Sequence, residues 1–284
     1  MKILVLGASG MLGNAMLRVL AQGPGWEVHG SVRNTSAAQY FETSLAARLV
    51  SGVDVDNADS LTQLFERLRP DVVINCIGLV KQIAAADDPI LALSINSILP
   101  HRLARLCDLA SARLIHVSTD CVFSGGKGGY VESDPADALD LYGRSKLLGE
   151  VAYPHAITLR TSIIGRELNG SHGLIGWFLA QQGAVSGYTR AVFSGLPTCE
   201  LARVVRDFVL PQPGLHGVYH VAAEPISKYA LLQLVNGAYG KHLDITPDAS
   251  VQIDRSLNGG RFRAATGYVA PTWPELVEQM RAFQ

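Results

Sequence analysis

Tyr142 and Lys146 stand four residues apart in the run Tyr142-Gly143-Arg144-Ser145-Lys146. On a helix, that spacing stacks both side chains on one face. A phenol and an ammonium placed so share one small site, and the cation is expected to favour phenolate and lower the tyrosine's pKa toward working pH. Tyr142 is then a proton donor to a carbonyl oxygen, or an acceptor from an alcohol. Ser118-Thr119-Asp120 closes an apolar run ending at Val117. A hydroxyl there can orient a carbonyl toward Tyr142, and Asp120 can bind a sugar hydroxyl or assist proton transfer. Each feature has an ordinary reading. Exposed Tyr and Lys are often mere surface, and Ser, Thr or Asp after a strand often caps a turn. Their occurrence together, Ser118–Asp120 before the helix of Tyr142 and Lys146, favours the catalytic reading.

A third motif stands near the start of the chain, Gly7-Ala8-Ser9-Gly10-Met11-Leu12-Gly13. It follows an apolar strand and opens a helix. Glycines there permit a tight turn, close approach of backbone to a pyrophosphate and close packing of helix on sheet. The helix N-terminus offers free N–H groups to phosphate. Gly7, Ser9, Gly10, Met11, Leu12 and Gly13 are therefore candidate dinucleotide-binding residues. Selectivity for NAD would place an acidic residue about 20 positions beyond the glycines. None occurs between Glu27 and Glu42; Ser31-Val32-Arg33-Asn34 stands there instead. Arg33 can fork onto a 2′-phosphate, so NADPH is favoured over NADH. Asp54 and Val55 occupy the adenine edge by position, and Cys76, Ile77 and Gly78 the adenosine ribose. Ser118, Tyr142 and Lys146 complete the cofactor side.

The elements that must position these groups alternate. Ile3–Leu6 reads as a buried parallel strand and Met11–Leu20 as a helix. Trp26–Gly30 is a strand, and Ala58–Leu68 a helix capped by Asp56 or Asn57. Asp71–Asn75 is a strand, Pro89–Ala110 a long helix and Arg113–Val117 a strand. Leu139–Val151 is the helix of Tyr142 and Lys146, and Ala156–Leu159 the next strand. The fold class is α/β, a doubly wound parallel sheet with ligands beyond the carboxyl ends of its strands. Beyond Gly165 the pattern is irregular, with helices expected over Leu201–Leu210, Lys228–Gly240 and Thr272–Phe283 and a strand over Val218–Val221. Residues 1–164, with return segments near 196–222, are expected to form the dinucleotide domain. Residues 165–195 and 223–284 form a smaller, interleaved substrate lid.

Composition excludes other classes. The 284 residues carry a net charge of −1 and are 48% hydrophobic, which supports a core and gives no bulk attraction to nucleic acid or anionic membrane. No long apolar run predicts a membrane span, and the N-terminal one is too short for a signal sequence. Cys76, Cys107, Cys121 and Cys199 show neither metal-ligand nor disulfide spacing, and the histidines none for a metal. A reducing, cytoplasmic setting without a metal is expected. His116 reads as a packed core histidine, Trp177 and Phe178 as core, and Lys81 and Gln82 as solvated loop. Asn96 is balanced between support of the site and no role.

These residues resemble the extended short-chain dehydrogenase/reductase superfamily and, within it, the dTDP-4-dehydrorhamnose reductase family. The resemblance rests on Gly7 to Gly13, on Val117-Ser118-Thr119-Asp120-Cys121-Val122-Phe123 and on Tyr142 to Glu150. Leu159-Arg160-Thr161-Ser162 is similar to a segment lining the nicotinamide, which adds Arg160 and Ser162 to the cofactor side. Gly195-Leu196-Pro197-Thr198 resembles a lid segment, and Arg255-Ser256-Leu257-Asn258 the family's late Arg-Pro-x-Asn stretch. The resemblance implies a catalytic trio of Thr119, Tyr142 and Lys146, with Thr119, Asp120, Tyr142 and Arg255 on the substrate. It implies NADPH-dependent reduction of a nucleotide-linked 4-keto-6-deoxy sugar for bacterial surface polysaccharide, by an enzyme often dimeric. Cys121 stands where the family usually has tyrosine, Phe193-Ser194-Gly195 where Asp-Gln-aromatic-Gly is usual, and Ser256 where proline is. A UDP-linked or N-acetylated 4-keto sugar is therefore as compatible as the rhamnose precursor. An epimerase or dehydratase on the same scaffold is the alternative, as is a non-catalytic NADP-binding regulatory protein. Related dehydratases place Glu where Cys121 stands, and regulatory relatives tend to lose the tyrosine or lysine kept here.

Overall fold

The apolar run behind Met1 forms strand β1 (Lys2–Leu6), buried throughout after Lys2. The computed structural model describes residues 1–80 and 87–283; Lys81 and Gln82 lie outside the described residues. After β1 come α1 (Met11–Leu20), β2 (Glu27–Val32), the single turn α2 (Thr43–Ala46), β3 (Leu49–Ser51), α3 (Ala58–Leu68) and β4 (Val72–Asn75). Asn57 caps α3 by accepting from the Asp59 and Ser60 amides. The long helix expected over Pro89–Ala110 is α4 (Pro89–Ala92) and α5 (Leu99–Leu109), joined by a π-helical stretch over Leu93–Ile98. Strand β5 (Arg113–Thr119), α6 (Leu141–Leu148) and β6 (Ala156–Thr161) complete this half. Helix α6 is shorter than expected at both ends. The Asp140 carboxylate accepts from the Gly143 amide at 2.7 Å and so caps it, and Gly149 ends it.

The second half holds β7 (Ile163–Ile164), α7 (Leu174–Ala180), β8 (Ala184–Tyr188), β9 (Ala191–Phe193), β10 (Leu196–Pro197) and α8 (Thr198–Val204). Then follow β11 (Gly217–His220), β12 (Ile226–Ser227), α9 (Lys228–Ala238), β13 (Asp244–Asp248), β14 (Ile253–Asp254), α10 (Gly260–Thr266) and α11 (Trp273–Ala282). Several of these strands have two or three residues, too short to carry a period, which is why the sequence reads as irregular there. Helix α8 starts three residues before the expected Leu201 and runs on as a second π-helical stretch, Val205–Val209.

Seven strands form the central sheet, in the order β11-β6-β5-β4-β1-β2-β3. Every pairing in it is parallel, as the alternating pattern implies. The order reverses between β1 and β4, so the crevice for a ligand lies beyond their carboxyl ends. Side-chain alternation splits the core across the sheet. Ile3, Val5, Ile74, Ile115 and Ile157 pack on one face with α1, α8, α9 and α11. Leu4, Leu6, Val73 and Leu114 pack on the other with α3 and α5. Each fully buried aliphatic of this kind contributes roughly 1.5–3 kcal/mol. Their burial on both faces fixes where the strand ends, and therefore the site, must lie.

Candidate active site

The glycine turn is built at the carboxyl end of β1. Gly7 has φ +78°, and a Cβ on it would stand 2.8 Å from Ile77 Cγ1. A Cβ on Gly13 would stand 2.1 Å from the Gly7 carbonyl oxygen, so only glycine lets α1 seat this close to the turn. Gly10 is the N-cap of α1 with no side chain capping it, which leaves first-turn N–H groups to an anion. Ser9 and Gly10 are exposed, Met11 half-buried and Leu12 buried in the core. The end of β2 is tied to the turn: the Gly7 amide donates to Ser31 Oγ at 3.2 Å and the Ala8 amide to the Ser31 carbonyl at 2.9 Å. That tie sets exposed Arg33 beside the turn. Asp54 is exposed and accepts from the Asp56 amide at 3.1 Å, while the Val55 side chain is buried in the core, leaving only its backbone to a ligand. Cys76 and Ile77 are half-buried and Gly78 exposed, on the turn that follows β4.

Tyr142, Lys146, Thr119 and Asp120 meet beyond β5. Gly143 makes this possible, since a Cβ there would stand 2.2 Å from the Cys121 carbonyl oxygen. Helix α6 thus lies directly on the turn Asp120–Val122. Lys146 is buried, and its ammonium donates to the Val117 carbonyl at 2.9 Å. Burial lowers its pKa to about 8, against the opposing pull of Glu150 and Cys76. Tyr142 is half-buried as a residue, but its hydroxyl end is walled by Thr119, Asp120 and Cys121. That crowding pushes its pKa above the ordinary phenol value, with the Thr119 hydroxyl pulling the other way. The expected lowering by Lys146 is therefore corrected. Desolvation dominates, and the Lys146 ammonium is engaged by the Val117 carbonyl instead. The pair yields a protonated phenol, a donor rather than an acceptor.

Thr119 and Asp120 are both buried. The Thr119 hydroxyl donates to Asp120 Oδ1 at 3.2 Å and accepts from the Cys121 amide at 3.1 Å. It caps the turn and stands at the site at once, so the two sequence readings of it coexist. Burial raises the Asp120 pKa, opposed first by Arg255. Arg255 comes from the segment ending β14 and donates Nε–H to the Phe123 carbonyl at 2.9 Å. A cation from the second half of the chain is thus brought beside the carboxylate. Lys228, at the start of α9, acts on Asp120 in the same sense; nothing in its sequence spacing signalled that. Cys121 is half-buried, and its thiol is pushed up to about 12, chiefly by burial.

The side chains of Ser118 and Arg160 go elsewhere than expected. Arg160 Nε and Nη2 donate to Glu150 Oε1 and Oε2 at 2.7 and 2.6 Å. Ser118 Oγ donates to Glu150 Oε1 at 2.7 Å. Glu150 was quoted in the tyrosine motif without a role; it ends up as the buried anchor of β5 and β6. These bonds hold the Arg160 guanidinium on Glu150 and direct the Ser118 O–H there, leaving the Ser118 oxygen able to accept. Ser162 is half-buried and accepts from the Leu196 amide at 2.9 Å through its carbonyl, where β10 pairs with β7. Asn96, on the π-helical stretch, accepts from the Leu79 amide at 2.9 Å and donates to Ser145 Oγ at 3.1 Å, so it does brace the site. Phe178 is core, but Trp177 is 38% exposed, against expectation. Among the described residues no helix is long and apolar enough to cross a membrane.

The RmlD substrate binding domain family matches residues 1–258. A probable low-salt glycan biosynthesis reductase of Haloferax volcanii is 30% identical over 78% of this chain and 74% of its own length. A dTDP-4-dehydrorhamnose reductase of Aggregatibacter actinomycetemcomitans is 26% identical over 79% of this chain and 74% of its own. Among solved structures, a dTDP-4-dehydrorhamnose reductase of Clostridium acetobutylicum superposes with a TM-score of 0.81 at 23% identity, covering 100% of this chain and 99% of that one.

Proposed function

The chain belongs to the RmlD substrate binding domain family, and on that premise we propose that it is an NADPH-dependent reductase of a nucleotide-linked 4-keto-6-deoxy sugar. Its product would serve surface polysaccharide assembly, which the relatives named for glycan and dehydrorhamnose chemistry support. The observation that carries the reading is a phenol, a buried ammonium and a hydroxyl converging beyond the strand ends, in the same crevice as the glycine turn. The cradle at Gly7, Gly10 and Gly13 fits a pyrophosphate. Exposed Arg33 fits a 2′-phosphate.

NADPH held there supplies a hydride to the carbonyl carbon. The protein's part is the proton. Tyr142, kept protonated by burial, gives its proton to the carbonyl oxygen as that oxygen gains charge. The resulting phenolate is reprotonated from solvent. Thr119 turns its O–H from Asp120 to the same oxygen and steadies it. Lys146 would hold the ribose of the bound cofactor. Asp120 and Arg255 hold the sugar nucleotide, and residues 165–195 and 223–284 cover it. A dehydratase needs an acid near neutrality where Cys121 stands, and that thiol is pushed up to about 12. That favours the reductase over a dehydratase. The test is a screen of 4-keto-6-deoxy sugar nucleotides generated in situ, followed by NADPH absorbance. Oxidation with one of them supports the reading, and none with any promotes a non-catalytic NADP-binding role.

A further inference from the structure

Asn75 ends β4, and His116 lies opposite it on β5. Both are buried, at 1% and 0% exposure, on the sheet face that α3 and α5 cover. Asn75 Nδ2 and His116 Nδ1 are 3.1 Å apart. The direction of that bond follows from a second one. Asn75 Oδ1 accepts from the Ile77 amide at 3.1 Å, so the amide's oxygen is turned to Ile77 and its NH2 to the imidazole. His116 Nδ1 must then accept, and the proton sits on Nε2. Burial, with Lys146 nearby, holds His116 neutral, which keeps Nδ1 an acceptor. His116 Nε2 has no partner among the described residues. A central strand therefore carries a buried imidazole, at the cost of one unsatisfied donor, whose single bond orients a neighbouring amide.

That amide holds the turn Cys76–Gly78, which lies on the glycine cradle: Ile77 Cγ1 would touch any Cβ on Gly7. We infer that Asn75 and His116 are positioning residues for the cofactor, acting through one chain of hydrogen bonds that fixes the Ile77 backbone against the dinucleotide turn. Both side chains are buried, so their effect passes through the Ile77 backbone. The inference rests on the NADPH site proposed above and deepens it, since it names what sets the wall of that site.

Fluorescence titration with NADPH, paired with thermal melting of the full chain, tests it. His116→Leu removes the acceptor and leaves Asn75 free to turn. NADPH affinity is expected to fall about tenfold, and the melting temperature to fall with it, because one buried N–H loses its partner. His116→Asn returns an acceptor near the Nδ1 position and is expected to recover most of the affinity. The deciding variant is Asn75→Leu/His116→Leu. With both side-chain partners gone, stability should recover in part, the Ile77 amide alone being left without its acceptor, while affinity stays low for that same reason. NADPH binding in the double variant equal to that of the unsubstituted chain overturns the inference, as does His116→Leu binding normally. If the unsubstituted chain binds no NADPH, the cofactor reading falls first and this one with it.

Discussion

Glu150→Gln separates two accounts of Arg160. In the structure one carboxylate receives Arg160 through both oxygens at 2.7 and 2.6 Å, and Ser118 at 2.7 Å. The two charged side chains are only 8% and 6% exposed. Removing the negative charge leaves a guanidinium buried with His220 and the Phe123 ring as its remaining neighbours. Breaking such a pair costs about 3–5 kcal/mol. Glutamine keeps the size and one acceptor, so the low end, about 3 kcal/mol, is expected. For a chain of this size that lowers Tm by about 6 °C or more. NADPH affinity, measured at a temperature where both proteins are folded, should change little. Glu150→Leu/Arg160→Leu should recover much of the loss, since an apolar pair of similar volume is often neutral. The reasoning is refuted if Glu150→Gln melts with the unsubstituted chain while Arg160→Ala loses NADPH binding. Arg160 would then be the cofactor ligand that the sequence resemblance implied.

Two further outcomes follow from the site. Arg33→Ala should remove most of the preference for NADPH over NADH, on the order of tenfold for one lost charge-assisted fork; equal preference before and after would take Arg33 out of the cofactor site. The pH profile of kcat/KM should fall as pH rises through about 8, where the Lys146 ammonium loses its proton. The sign is fixed by burial: a lowered lysine pKa means the useful cation is present below that value and absent above it. Lys146→Arg keeps the charge and should move the fall upward, and an unmoved fall assigns it to another group.

The alternation of strands and helices through β6 was legible because those segments are long and their apolar periods are clean. The glycine turn, Thr119, Tyr142 and Lys146 were legible because each combines a residue type with a fixed place at a strand or helix end. The pKa of Tyr142 was not, because spacing shows that Lys146 is near but not that the hydroxyl is walled by Thr119, Asp120 and Cys121. The bonds of Arg160 and Ser118 to Glu150 were not legible, because a motif gives their place on the strand, whereas that partner is set by how α6 ends against β5 and β6. Lys228 and Arg255 reach Asp120 only through the packing of the second half, where strands of two residues carry no pattern. His116 was rightly placed in the interior, yet its bond to Asn75 needs the register of β4 on β5, which no single sequence states.

The most direct measurement is single-turnover reduction by Tyr142→Phe, with NADPH bound, of the sugar nucleotide that the screen identifies. Loss of the proton donor should slow the step by at least about a hundredfold, with NADPH affinity within about twofold of the unsubstituted chain. Reduction at the unsubstituted rate would show that the proton comes from elsewhere.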